Sequence, residues 1–243
     1  MRLSRVHVTG PLASGHRQSL TGSAANHVTR VLRLRVGDAL TLFDGQGGEY
    51  AASIDEVRKD TVWVNVTEHR ALERESPLQL TLAQGISRGE RMDWVVQKAT
   101  ELGVTHLAPI FTERSVVHLD AGQARRKVQH WQAIAVAACE QCGRNRLPQI
   151  DAPRTLYDYL EHRDGTGAAL LLSPLGTARI ATLPPQTGGV TVLIGPEGGL
   201  TDLEQETAIA RGFTPVRLGP RVLRTETAAV CALTLLQQQA GDL

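Results

Sequence analysis

Over the first quarter of the chain, apolar positions come in short runs separated by polar turns. Ala39–Phe43, Glu49–Ile54 and Thr61–Val66 are rich in residues that suit a half-buried pleat. Asp44-Gly45-Gln46-Gly47-Gly48 and Arg58-Lys59-Asp60 separate them as turns. Ahead of these, Ala24, Val28, Val31 and Leu32 recur at i, i+4, i+7 and i+8, which predicts a short helix. Successive short strands with tight turns predict a small barrel. Glu68, Arg70, Glu73, Arg74 and Glu75 then crowd the stretch before Pro77, the pattern of a solvated linker. The boundary is placed there, giving domains 1–74 and 75–243.

Beyond the boundary the rhythm becomes strand, helix, strand. Leu78–Leu82 alternates like a strand, and Met92, Val95, Val96, Ala99 and Leu102 fall on one helical face, with Gly103 placed to end that helix. Val104–Ile110 is the next strand. Ala124–Cys142 reads as a long helix with Val128, Trp131, Ala135 and Ala138 in one stripe. Ala168–Leu172 and Val190–Ile194 are short apolar runs of the kind buried in parallel sheets. Thr214–Leu218 is a further strand, and Ala228–Gln239 a final helix apolar on several sides, hence deeply buried or at a subunit interface. The βαβα order predicts an α/β domain with a parallel sheet.

Composition narrows this picture only a little. A chain of 243 residues that is 42% hydrophobic and 21% charged builds a proper core, as one large domain or two unequal ones. A disordered chain, a fibre and a disulfide-stapled miniprotein are excluded. No apolar run approaches the roughly 20 residues of a membrane span, and Met1–His7 lacks the apolar stretch of a secretory signal. With three cysteines, the expected compartment is the reducing cytoplasm. A net charge of +1 neither announces nor excludes a nucleic-acid partner. Only Lys59, Lys98 and Lys127 among the basic residues are lysine; arginine suits phosphate, but a GC-rich genome produces the same skew.

Two segments have the form of ligand loops. Strand 190–194 runs into Gly195-Pro196-Glu197-Gly198-Gly199-Leu200, followed by Thr201-Asp202-Leu203-Glu204, a capping box opening a helix. A glycine-rich turn at the carboxyl end of a parallel strand lets a ligand approach backbone N–H groups closely. The spacing is neither a dinucleotide fingerprint nor a P-loop. The second segment, Leu218–Ala228, also follows a strand and enters a helix, with Arg224 and Glu226 placed as polar groups at its mouth, or as a plain surface ion pair. Gly45–Gly48 sits between strands and reads as a hairpin turn. Cys139 and Cys142 form a Cys-x-x-Cys inside a helix without a second ligand pair, and the histidines form no metal-binding spacing, so no metal is expected. There is no Gly-x-Ser-x-Gly of a hydrolase.

At these residues the chain resembles the ribosomal small-subunit RNA uracil-N3 methyltransferases of the SPOUT superfamily (the RsmE family). The resemblance runs through His27, Val31-Leu32-Arg33, Gly37-Asp38 and Phe43-Asp44-Gly45. It continues through Met92-Asp93-Trp94, Gln97–Gly103, Glu113-Arg114-Ser115 and Glu140-Gln141-x-Gly143-Arg144. It ends with Ile194–Gly199 and Leu218-Gly219-x-Arg221–Ala228. Arg88 stands where the family commonly has lysine, with the charge kept.

The resemblance implies a PUA-like N-terminal barrel that helps hold RNA. It also implies a C-terminal SPOUT α/β methyltransferase domain with a deep trefoil knot, acting as a homodimer on 16S rRNA of the small ribosomal subunit. By the same resemblance, Leu172, Ser173, Ile194, Gly195, Gly198, Gly199, Leu218, Gly219, Val222 and Leu223 would wrap S-adenosylmethionine (SAM). Arg224 and Arg144 are then candidates to face the uracil oxygens, and Glu226 and Glu197 candidates to accept the N3 proton. Arg30, Arg33, Arg35, Arg88, Lys98 and Arg114 are candidate phosphate contacts. Two rival readings stand beside this one. A ribose 2′-O-methyltransferase would share the fold and the donor site, and a non-catalytic ribosome-assembly protein need not bind SAM.

Overall fold

The structure, a computed structural model, describes residues 4–163, 166–186 and 188–243. It divides into two compact units, Met1–Glu75 with Val136–Leu147, and Ser76–Ala135 with Pro148–Leu243. A linear division at residue 74 does not include the returning segment Val136–Leu147.

The first unit holds a five-stranded sheet of β1 (Ser4–His7), β2 (Arg17–Thr21), β3 (Ala39–Phe43), β4 (Glu49–Val57) and β5 (Thr61–Arg70), in the order β1-β3-β4-β5-β2. Only β1 and β3 run parallel. Val6, Leu20, Leu40, Leu42, Ile54, Val62 and Val64 come from every strand into one core, so the sheet curls around it. Register shifts at Ala51/Ala52 and Ile54/Glu56 bend β4 in the way bulges do. Among the described residues no ladder joins β1 to β2, so the expected barrel is an open, PUA-like half-barrel.

The predicted helix near residue 24 is short. α1 (Gly22–Asn26) passes directly into a π-helical turn, His27–Val31. Ala25 and Val28 are buried, but Val31, expected on the same stripe, is 69% exposed. The wider π turn leaves Val31 outside, while Leu32 still packs against the core. The charged stretch before Pro77 is exposed except for half-buried Glu75, as the linker reading expects, yet its charges are held by named partners. Glu68 and Arg70 still belong to β5, and Glu73 Oε1 accepts from Gly48 N at 2.6 Å. Arg74 donates to Glu49 and to the Gly143 carbonyl, and Glu75 pairs with buried Arg144. Charge density in the sequence does not show which charges find partners, and here the partners come from 48–49 and 143–146.

The second unit is an all-parallel sheet. Its strands are β6 (Gln79–Gly85), β7 (Val104–Phe111), β8 (Gln149–Ile150), β9 (Arg154–Thr155), β10 (Ala168–Leu172), β11 (Ala178–Arg179), β12 (Gly189–Ile194) and β13 (Thr214–Arg217). The order is β11-β13-β10-β12-β6-β7-β8, with β9 also on β7. Around it lie α2 (Glu90–Glu101), α3 (Ala121–Cys142), α4 (Leu156–His162), α5 (Asp202–Ala210) and α6 (Thr225–Ala240). The buried runs Leu80-x-Leu82, Leu170-Leu171 and Val192-Leu193 explain why these strands sit inside, covered on both faces. The last seven residues of α3 belong to the first unit and its earlier part to the second.

Candidate methyl-donor site

Because β13, β10 and β12 are adjacent and parallel, their carboxyl ends lie along one edge of the sheet. That edge of an open α/β sheet is where ligands bind. The segments leaving the three strands enclose a cleft of about 370 Å³. Leu172, Ser173, Ile194, Gly195, Gly199, Leu218, Gly219, Val222 and Leu223 line it, which brings together all but one of the residues expected at a donor site. Gly198 lies behind the wall. A Cβ on it would stand 3.0 Å from the Arg114 Cβ, so glycine there lets Arg114 pack.

The cleft also contains residues the sequence reading left out, among them Leu175, Asp202, Gln205 and Arg217. Ser173 Oγ donates to Gln205 Oε1 at 2.9 Å, and Leu175 N donates to Ser173 Oγ, which fixes the turn after β10. The signal was present: Ser-Pro-Leu-Gly follows a buried apolar run, as the glycine loop does after β12. Gln205 carries no comparable mark, since its role follows from α5 packing beside β10.

The glycine loop is held from several sides. Gly199 N bonds Pro196 O at 2.9 Å with Gly199 at φ +70°, closing a turn. Thr225 Oγ1 donates to Gly195 O at 2.7 Å and accepts from buried Gln84 Nε2 at 2.9 Å. Gly85 lies so near the loop that a Cβ would stand 2.4 Å from Pro196 N. Arg114 Nη1 donates to the carbonyls of Gly198 and Leu200 at 3.2 and 3.3 Å. Downstream, the predicted capping box is formed: Thr201 and Glu204 bond each other's backbone N–H. Glu204, almost wholly buried, also accepts from Glu113 N at 2.9 Å.

Glu197 is the loop's one ionisable side chain. Its Oε1 accepts from Arg91 Nη1 at 2.7 Å and from Arg88 N at 3.0 Å. Partial burial would raise its pKa, but these bonds and its own backbone N–H hold the carboxyl below the usual range. Glu226 lies in the first turn of α6, with Oε1 3.9 Å from Arg91 Nε and Oε2 buried without a hydrogen-bond partner among the described residues. Arg224 precedes it as the exposed N-cap residue, and among the described residues its side chain, like those of Arg217 and Arg221, forms no ion pair. Arg144 lines no part of this cleft. Its guanidinium meets Glu75 at 2.6 Å, its carbonyl accepts from Arg5 Nη2 at 3.0 Å, and its side chain is only 5% exposed.

The profile of the RNA methyltransferase domain matches residues 74–237, and that of the RNA methyltransferase PUA domain matches residues 20–67. Ribosomal RNA small subunit methyltransferase E of Buchnera aphidicola (subsp. Schizaphis graminum) is 35% identical over 242 residues, covering 100% of this chain and 98% of that protein. The chain belongs to the ribosomal RNA small subunit methyltransferase E family. The methyltransferase E of Bacillus subtilis is 31% identical over 91% of this chain and 90% of its own length. The methyltransferase E of Neisseria gonorrhoeae, solved bound to S-adenosyl methionine, matches with a TM-score of 0.93 at 33% identity over 100% of both chains. A Legionella pneumophila structure holding the bound cofactor SAM matches at 0.97 and 42%, again over 100% of both chains.

The expected phosphate contacts divide by what already holds them. Lys98 Nζ is tied to Glu101 at 2.8 Å, and Arg114 is tied to the loop carbonyls. Arg30, Arg33, Arg35 and Arg88 are exposed, and no ion pair is formed by their side chains among the described residues. Every other described arginine of the first unit has a carboxylate partner: Arg5, Arg17, Arg58, Arg70, Arg74, Arg144 and Arg146. Arg33 is also the one described non-glycine residue at positive φ, +55°. Backbone strain of this kind gathers at functional segments.

Proposed function

We propose that this chain transfers a methyl group from SAM to N3 of a uridine in 16S rRNA of the small ribosomal subunit, working as a cytoplasmic homodimer. Residues 1–74 would hold RNA, and residues 75–243 would form the knotted transfer domain. The observation that carries the reading is the cleft at the carboxyl ends of β10, β12 and β13, in a chain similar over its whole length to a SAM-bound methyltransferase E.

The cleft suits such a donor. Leu172, Ile194, Leu218, Val222 and Leu223 offer apolar walls to a flat base, and Arg217 and Arg221 stand ready for a carboxylate. The donor supplies an activated methyl on a sulfonium, leaving the protein to align the acceptor and take up one proton. Loss of that proton from N3 spreads negative charge onto the two uracil oxygens. Arg224, exposed at the start of α6 and free of a carboxylate, is the arginine that would face them. Arg144, buried against Glu75, would serve instead to hold the 140–146 segment. Of the two carboxylates, Glu197 has its Oε1 engaged by Arg91 and by Arg88 N. Glu226 keeps one oxygen without a hydrogen-bond partner among the described residues and is the proposed acceptor. N3 lies on the pairing edge, so the uridine must be unpaired or flipped. Arg30, Arg33 and Arg35 would meet phosphates of the surrounding RNA.

Transfer from labelled SAM to small subunits lacking the modification, followed by nucleoside digestion and mass spectrometry, tests this. Label in 3-methyluridine is the expected result. Label in a ribose-methylated nucleoside moves the acceptor to the 2′-oxygen, and absence of label together with absence of SAM binding leaves an assembly protein.

A further inference from the structure

The loop Gly195–Gly199 is three glycines, a proline and Glu197, so a single polar side chain is its handle. Such a sequence loses much backbone freedom when ordered. Whatever orders it before the donor arrives lowers the entropic cost of binding. On one side Arg114 binds its carbonyls. On the other, the turn between β6 and α2 reaches across: Arg91 Nη1 and Arg88 N both donate to Glu197 Oε1. Arg91 is set for this by position. It lies in the first turn of α2, whose entry is bent by Gly89 at φ +57°. Its Nε faces Glu226 Oε1 at 3.9 Å, so one guanidinium lies between the glycine loop and the first turn of α6.

We propose that Arg91 is a positioning residue for the methyl donor, holding the Gly195–Gly199 loop through Glu197 and the start of α6 through Glu226 in the donor-binding shape. The inference rests on reading the cleft as the SAM site. Arg91 is 45% exposed at its side chain, so its ion pair adds little to global stability. Its effect belongs to the loop.

The test is calorimetric titration of SAM into the wild type, Arg91→Ala, Arg91→Lys, Glu197→Gln and the Arg91→Ala/Glu197→Gln pair, with melting curves and small-subunit RNA affinity measured alongside. Arg91→Ala and Glu197→Gln should each weaken SAM about tenfold, or about 1.4 kcal/mol. The pair should be about as weak as Arg91→Ala alone, because the Glu197–Arg91 contact is already gone in that variant. Lysine should restore most of the affinity, KM for SAM should rise more than kcat falls, and melting temperature and RNA affinity should hold. A wild type that does not bind SAM removes the cleft reading and this inference with it. Wild-type SAM affinity in Arg91→Ala, or additive losses in the pair, overturns this inference alone. Retained SAM affinity with weakened RNA binding would make Arg91 a phosphate contact and overturn it as well.

Discussion

Partner and burial divide the arginines of this chain into groups. Arg5 and Arg144 are buried among carboxylates and carbonyls of the first unit, where they act as structure. Arg91 and Arg114 are tied to the glycine loop. Arg217 and Arg221 line the cleft and Arg224 follows at its edge, and among the described residues none of the three forms an ion pair. Arg224→Ala is accordingly expected to lower kcat about 100-fold, the order seen for losing one charge-stabilising donor, with SAM affinity kept; full turnover in a single-turnover assay would remove it from the mechanism. Arg5 allows a second prediction, through Glu49. Burial would raise the Glu49 carboxyl, but hydrogen bonds from Arg74 and Arg5 hold it below its ordinary range. Its stabilisation is therefore complete above the ordinary glutamate pKa of about 4.3 and lost as pH falls through the lower folded value. Glu49→Gln should cost about 3 kcal/mol near neutral pH by removing the carboxylate charge that faces buried Arg5, and should flatten the acid limb of a denaturant-midpoint profile. An unchanged limb would assign that limb to other carboxylates.

Secondary structure was legible where one period dominated. β3 begins and ends where the apolar alternation does, and the stripe from Met92 to Leu102 became α2 with Met92, Val95, Val96 and Ala99 buried. The capping box at Thr201 was readable because both of its partners lie within four residues. Thr201→Ala should cost about 1 kcal/mol in urea unfolding, and a loss near zero would show that Glu204 caps α5 without it. Elements fixed by partners distant in sequence were not legible. The π turn after Asn26 has no periodic mark, and the short strands β8, β9 and β11 exist only because longer neighbours pair with them. The partners of Glu73–Glu75 were hidden for the same reason, since they lie at Gly48, Glu49, Arg144 and Arg146. At the end of α3 the hydrogen bond to Cys142 and burial push the Cys139 thiol up.

At the scale of the whole chain, the parallel order of strands could be read, but not which strands are neighbours. β10 lies between β13 and β12, and that placement, invisible to periodicity, brings Ser173, Gly195 and Leu218 to one cleft. The site was therefore legible as separate loops, and joined only through resemblance. The exposed side of α6 adds a groove of about 390 Å³ lined by Leu218, Leu223, Val230, Cys231, Thr234 and Leu235 among others. Its continuity with the 218–223 segment fits the homodimer of the proposed function. Thr234→Arg, an exposed change that spares the core, should turn a dimer into a monomer in sedimentation velocity; a wild type that sediments as a monomer would remove the dimer from the account.

The most direct test of the donor site is hydrogen–deuterium exchange with and without SAM. Protection concentrated in residues 172–175, 194–199 and 217–223, three segments far apart in sequence and joined only at the cleft, is the expected result. Binding without protection there, or with protection centred on the first unit, would contradict the assignment of the cleft.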